Sequence, residues 1–239
     1  MILPSHLLPS TPRRGRFLGA PPDQLASQKE FDLDDAPYEL GDPGQPSPTP
    51  TIVIALFDDS GSVTGRGGND PLARRYDEVE HAFQVVARRG SRRELGAVLH
   101  FDSPCRTDAG PVPITRLGMA SLRPGLRRPK DGVGSSTLAP SLDQAVELAH
   151  SHPRHQATLV VLSDFLLLDA DPAQVLSDLR AFPGLVHAVV LGSRVPDGVL
   201  DGAVTVTQIM SGGPRGAVAK ALFGSLVARR PGSTPLLPN

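Results

Sequence analysis

Thr51 to Phe57 (TIVIALF) is a run of seven residues with one hydroxyl and no charge, and it stops at two consecutive carboxylates, Asp58 and Asp59. A strand with one wet face alternates polar and apolar side chains; an unbroken apolar run is covered on both faces, as in the central strand of a parallel sheet. Further strands read at Leu95 to Phe101 and Ala157 to Leu162, both buried in character, and at Leu185 to Leu191 and Val204 to Ile209. Stripes at helical spacing alternate with them: Tyr76, Val79, Phe83 and Val86, then Leu138, Leu142, Ala145 and Ala149. Asp171 followed by Pro172 reads as an N-cap and first helical residue, opening a helix with Val175, Leu176, Leu179 and Phe182 inward. Ala217 to Ala228 forms a closing helix. Strand and helix in alternation predict an α/β fold, with helices on both faces of a mostly parallel sheet. Between Arg106 and Leu117 lies a weaker strand whose Pro111 and Pro113 restrict it to a sheet edge.

The domain is expected over residues 51–230. Before it, residues 1–50 carry ten prolines and no sustained apolar period, and read as an extended arm. Its first part is basic (Arg13, Arg14, Arg16) and its later part acidic (Glu30, Asp32, Asp34, Asp35, Glu39, Asp42). Phe17, Leu18, Phe31 and Tyr38 are its candidate anchors to a surface. A disordered tail is expected over residues 231–239. The opening Met1-Ile2-Leu3-Pro4 lacks the basic and apolar regions of a secretory signal, and no stretch approaches the roughly 18 apolar residues of a membrane span. With a single cysteine, Cys105, no disulfide framework or Cys-His zinc site can form, and the expected compartment is the cytoplasm. Only Lys29, Lys130 and Lys220 among the 24 basic residues are lysines, a bias typical of a high-GC bacterial gene.

A net charge of -1 supplies no field to collect nucleic acid or anionic membrane. The pairs Arg88-Arg89, Arg92-Arg93 and Arg127-Arg128 with Lys130 read as solvated surface, and 4% aromatic residues make no stacking platform. Neither nucleic acid nor membrane is an expected partner.

In open α/β sheets ligands bind where loops leave the carboxyl ends of strands. There the first strand ends in Asp58-Asp59-Ser60-Gly61-Ser62, a later strand ends in Ser163-Asp164, and the helix between them opens at Gly134-Ser135-Ser136-Thr137. This arrangement resembles the von Willebrand factor A (VWA) and integrin I-domain family, whose metal-ion-dependent adhesion site combines Asp-x-Ser-x-Ser, a later threonine and an aspartate after the fourth strand. Asp58, Ser60 and Ser62 match the pentapeptide, Thr137 the threonine and Asp164 the aspartate. The resemblance covers about residues 51–228 and implies a Rossmann-like VWA fold with one antiparallel edge strand. Two departures stand out. The family usually has Thr-Asp-Gly where this chain has Ser163-Asp164-Phe165, and Thr64 to Asp70 (TGRGGND) is a glycine-rich insertion.

All five candidate ligands offer oxygen, which suits Mg2+, with Mn2+ or Ca2+ as alternatives. Neutral hydroxyls cancel no charge, so a cation held partly by Ser60, Ser62 and Thr137 keeps its attraction for an incoming Asp or Glu. The resemblance thus implies a non-enzymatic adaptor that grips an acidic residue of a partner protein, with AAA+ ATPases among the partners of bacterial members. Asp and Ser also shape turns and caps, a role these residues fill equally well without a metal. Asp59 is read as a solvated or helix-facing acid. A Mg2+-dependent hydrolase of phosphate esters is the alternative, although such sites favour more carboxylates. The sequence has no Gly-x-Ser-x-Gly, no His-Glu-x-x-His and no phosphate-binding glycine loop. His81, His100, His150, His152, His155 and His187 read as helix-face, loop or strand residues rather than as bases.

Overall fold

The computed structural model describes residues 38–65, 74–101, 103–130, 134–194, 200 and 202–237. The expectations about Phe17, Leu18, Phe31, the charged segments before residue 38 and most of the glycine-rich insertion lie outside them.

The chain runs β1 (Gly41–Asp42), β2 (Thr51–Phe57), α1 (Gly61–Thr64), α2 (Arg75–Ala87), β3 (Glu94–His100), β4 (Ala109–Pro113), α3 (Arg116–Leu122) and α4 (Ala139–Ser151). It continues through β5 (Gln156–Ser163), α5 (Pro172–Arg180), β6 (Gly184–Leu191), β7 (Val204–Ile209), α6 (Ala217–Val227) and β8 (Thr234–Pro235). Six strands form the main sheet in the order β4-β3-β2-β5-β6-β7, parallel throughout except for the antiparallel β3–β4 pair.

Strand β2 is buried along its whole length, and its alternation divides the core in two. Val53, Ala55 and Phe57 pack with Val79, Phe83 and Val86 of α2 and Leu222 and Phe223 of α6. Ile52, Ile54 and Leu56 face the other way, onto Leu138, Leu142 and Ala145 by α4 and Val175 and Leu179 of α5. Both faces are therefore covered by helices, which is what the absence of alternation in TIVIALF required. The two prolines of β4 sit on the outermost strand, where a missing amide donor is tolerated.

The weaker strand expected between residues 106 and 117 is β4, and the start of a helix shares that interval. Pairing ends at Pro113, and Thr115 accepts a hydrogen bond from the Gly118 amide at 3.1 Å, capping helix α3, which buries Met119 and Leu122. Residues 41–42 and 234–235 lie within the segments expected to be the arm and the tail. They pair as an antiparallel two-stranded sheet. Gly41, at φ +99°, makes this approach feasible, because a Cβ there would lie 2.1 Å from the Thr234 carbonyl oxygen. Leu40 is buried against the core, and Arg230 ties the ends together: its guanidinium bonds the Glu94 carboxylate at 3.0 Å and the Pro43 carbonyl at 3.2 Å. Such pairing joins segments almost two hundred residues apart and leaves no local periodicity to read.

Gly216 is the N-cap of helix α6, and the amides at this helix start are held by a side chain from another helix. Glu78 of α2 accepts from Gly216 at 2.9 Å through Oε1 and from Val218 and Ala219 at 3.0 and 3.1 Å through Oε2. Among the described residues no helix is long and apolar enough to cross a membrane.

Candidate metal centre

Strands β2 and β5 lie side by side with Phe57 level with Leu162, so the residues that follow them leave the sheet together. The Asp58 amide still donates to the Leu162 carbonyl at 3.0 Å, after which the two chains diverge into loops. Asp58 and Asp164 stand at this junction, 1% and 2% exposed.

The carboxylate of Asp58 is fixed at both oxygens: Oδ1 accepts from the Ser60 amide at 2.9 Å, and Oδ2 from the Ser163 hydroxyl at 2.6 Å. The Ser60 and Ser62 hydroxyls are 3.0 Å apart at the start of α1. Asp164 accepts from the Leu166 amide at 3.1 Å, and its carbonyl accepts from the Ser193 hydroxyl at 2.6 Å. Burial raises the Asp58 carboxyl above its ordinary range; hydrogen bonds from Ser163 and Ser60 offset part of this, and the nearby charge of Asp164 adds to it.

Thr137 is half-buried on the loop before α4. Asp169 holds that loop, its two oxygens accepting from the Leu138 and Ala139 amides at 2.9 Å each, while the Leu168 amide donates to the Ser136 carbonyl at 3.1 Å. On the other side Gly134 approaches the Asp59 backbone: a Cβ there would stand 3.4 Å from the Asp59 carbonyl oxygen. The 58–62, 134–137 and 163–169 segments thus adjoin at one edge of the sheet. Asp58 and Ser60, and Ser60 and Ser62, are linked by hydrogen bonds, Asp164 lies close enough for its charge to raise the Asp58 carboxyl, and Thr137 lies on the adjoining loop.

At the departure from Thr-Asp-Gly, Phe165 has φ +56°, the left-handed conformation that glycine adopts without cost. The Ser163 hydroxyl accepts from the Phe165 amide at 2.8 Å while donating to Asp58, so one serine braces both the turn and the carboxylate. The phenylalanine side chain packs against the α4–α5 core, an interaction that offsets the strain.

Asp59 is not solvated. It is 3% exposed and faces α2, where its Oδ1 accepts from Arg75 and Tyr76 at 2.5 Å each; its Oδ2 lies 2.7 Å from His100 Nδ1. Burial alone would raise this carboxyl, but the His100 hydrogen bond, the Arg75 charge and the Tyr76 hydroxyl outweigh it and hold it below the ordinary range. The Arg75 guanidinium also lies over the Tyr76 ring at 5.1 Å. This network anchors the loop from behind while Asp58 points to the opposite side. Sequence reading missed it because the partners lie 16 to 41 residues away.

His100, Cys105 and Asp108 bring ligand-type atoms within 4.8 Å of one another. Here the contacts are those of a loop. Asp108 accepts from the Ser103 hydroxyl and from the His100 and Cys105 amides, and the His100 nitrogens lie against Asp59 and the Gly125 carbonyl.

The donor set around Asp58 fits a hard divalent cation. Every side chain offers oxygen, and the charge of Asp164 adds to the cost of ionising the buried Asp58, a cost that a nearby cation would relieve.

No protein-family model and no curated protein matches the chain. Solved structures do. The chain is similar to a von Willebrand factor type A protein from Catenulispora acidiphila, at 13% identity and TM-score 0.54 over 79% of this chain and 48% of that one. It is also similar to proximal thread matrix protein 1 of the mussel byssus, at 16% identity and TM-score 0.51 over 75% and 47%. The chain spans about half the length of these two proteins.

Proposed function

We propose that this chain, built on the von Willebrand factor A fold, is a non-enzymatic adaptor that binds an acidic side chain of a partner protein through a divalent cation. Asp58, Ser60, Ser62, Thr137 and Asp164 would hold the cation, Mg2+ foremost, with Mn2+ or Ca2+ as substitutes. Bound there, it would supply an electrophilic point for a carboxylate from outside. The observation that carries this reading is the pair of neutral hydroxyls, Ser60 and Ser62, 3.0 Å apart on the loop of the buried Asp58, whose carboxyl also feels the charge of Asp164. Hydroxyl ligands leave the positive charge less cancelled than carboxylates do, which favours capture of one further anion.

The protein's own groups do the positioning. Ser163 and the Ser60 amide lock the Asp58 rotamer, the Asp59 network keeps the backbone of the loop in place, and Asp169 holds the Thr137 loop. Preorganisation of this kind lowers the ordering cost of binding a partner. Phosphate-ester hydrolysis has less support: His100, which contacts Asp59, has both ring nitrogens against protein acceptors and so offers no general acid. The bacterial cytoplasm and an AAA+ ATPase partner complete the proposal, on the family resemblance alone.

The test is affinity purification on the immobilised chain with Mg2+ or with EDTA. We expect a set of proteins captured only with Mg2+ and lost in the Asp58→Ala/Ser60→Ala variant, whose circular dichroism stays that of the wild type. Retention of the same proteins in EDTA and by the double variant would overturn it.

A further inference from the structure

The two edges of the main sheet differ in chemistry. Strand β4 carries Pro111 and Pro113 and a register shift against β3 between Gly96 and Val98, features that obstruct the addition of another strand. Strand β7 reads Val204-Thr205-Val206-Thr207-Gln208-Ile209, with no proline, no charge and β-branched residues everywhere but at Gln208. Among the described residues it pairs with β6 alone, from Val186 level with Val204 to Leu191 level with Ile209. Val206 is 41% exposed, and on the opposite face Leu185 and Leu237, 47% and 77% exposed, lie in the cavity beside Thr205 and Thr207.

Which backbone groups of β7 point outward follows from one hydrogen bond. The Gly192 amide donates to the Ile209 carbonyl at 2.8 Å, so Ile209 turns its peptide groups toward β6. Alternation gives Thr205 and Thr207 the same sense, and turns the amides and carbonyls of Val204, Val206 and Gln208 away from the sheet. The side chains of Thr205 and Thr207 line a cavity of about 250 Å³ between the sheet and α6, together with His187, Lys220 and Ser225.

We propose that β7 is a dimerisation edge, pairing antiparallel with β7 of a second copy about a two-fold axis at Val206, so that two six-stranded sheets become one. The strand is complementary to itself in this register. Val206 meets Val206, and Val204 meets Gln208, so each outward residue exchanges two hydrogen bonds with an outward residue of the other copy. On the cavity face Thr205 meets Thr207, and no charge opposes another; β-branched and Thr–Thr pairs of this kind favour antiparallel pairing. A slip by one residue would set outward groups against inward ones and is excluded. Strand-edge contact of this length buries less than the 1,200 Å² or so typical of stable complexes, so the dimer is expected to dissociate on dilution.

The test uses the full chain with Cys105→Ser, which leaves no native thiol. Copies of residue 206 across the axis have Cα atoms about 5.5 Å apart, within disulfide reach, whereas copies of residue 208 are about 14 Å apart. Under oxidation by copper phenanthroline, Val206→Cys is expected to give at least about tenfold more covalent dimer than Gln208→Cys at equal concentration, in EDTA as in Mg2+, which separates this result from the metal reading. Sedimentation of the wild type should show association between roughly 10 µM and 1 mM. Val206→Pro, which removes an outward amide and no β6 bond, should stay monomeric. Equal crosslinking at 206 and 208, or a wild type that remains a single 25.2 kDa species at 1 mM, would overturn the proposal. Should Val206→Pro fail to fold, as read by circular dichroism, the cysteine pair decides.

Discussion

Replacing Glu78 tests whether α6 is held by a carboxylate from α2. Three amides at the start of α6 converge on Glu78, at 2.9, 3.0 and 3.1 Å, and Glu78 is 7% exposed. The first amides of a helix have no partner within it, and the positive end of the helix dipole strengthens their attraction for an anion. Losing a capping side chain costs about 0.5–2 kcal/mol where water replaces it, and a buried donor left unsatisfied costs about 1–3 kcal/mol. With three donors and partial access for water, Glu78→Ala should cost about 3–5 kcal/mol, a large share of the 5–15 kcal/mol typical of a domain. Glu78→Gln keeps the shape and one acceptor but turns an NH2 group toward the remaining donors, and should cost about 1–2 kcal/mol. Urea unfolding followed by far-UV circular dichroism reads both as a lower midpoint at unchanged slope. Costs below about 0.5 kcal/mol for both variants would refute the reasoning.

His187 lies between the Ser225 and Thr207 hydroxyls at 2.6 and 2.9 Å, in the cavity that Lys220 also lines, and burial pushes it down to about 4. An unfolded histidine titrates near 6.5, so between these values the unfolded chain binds a proton that the folded chain does not. Its contribution to stability is therefore lost as pH falls through that window, at about 1.4 kcal/mol per pH unit. His187→Gln should flatten the dependence of the urea midpoint on pH between 4 and 6.5; an unchanged slope would contradict this. Arg230→Met leaves the 3%-exposed Glu94 without its guanidinium and should cost about 3–5 kcal/mol, most of it regained in Arg230→Met/Glu94→Gln. A double-mutant cycle with no coupling would deny the pair its role.

What the sequence revealed depended on whether a constraint is local. The sheet was legible because a strand covered on both faces cannot hide its apolar run, and the prolines at 111 and 113 marked the antiparallel edge. The cap at Thr115 was legible in principle, but a two-residue gap after Pro113 and a short apolar stripe of Met119 and Leu122 masked α3. That Asp58 and Asp164 leave the sheet side by side was legible because strand ends gather at one edge of such a sheet; their choice as ligands, with Ser60, Ser62 and Thr137, came from the family resemblance and stands as a proposal. Their supports were not. Asp169 reaches back thirty-one residues to the Leu138 amide, and Asp59 finds Arg75, Tyr76 and His100 across two other elements. The left-handed backbone at Phe165 runs against the preference of its own residue type, so only the surrounding structure determines it.

Cation binding by the isolated chain tests the central claim most directly, with free Mn2+ followed by electron paramagnetic resonance during titration. The wild type is expected to take up one Mn2+ per chain, displaced by Mg2+, with affinity at least about tenfold weaker, or about 1.4 kcal/mol, in Asp58→Asn and in Ser60→Ala/Ser62→Ala. A wild type that leaves Mn2+ free, or variants that bind it as tightly as the wild type, would contradict the account.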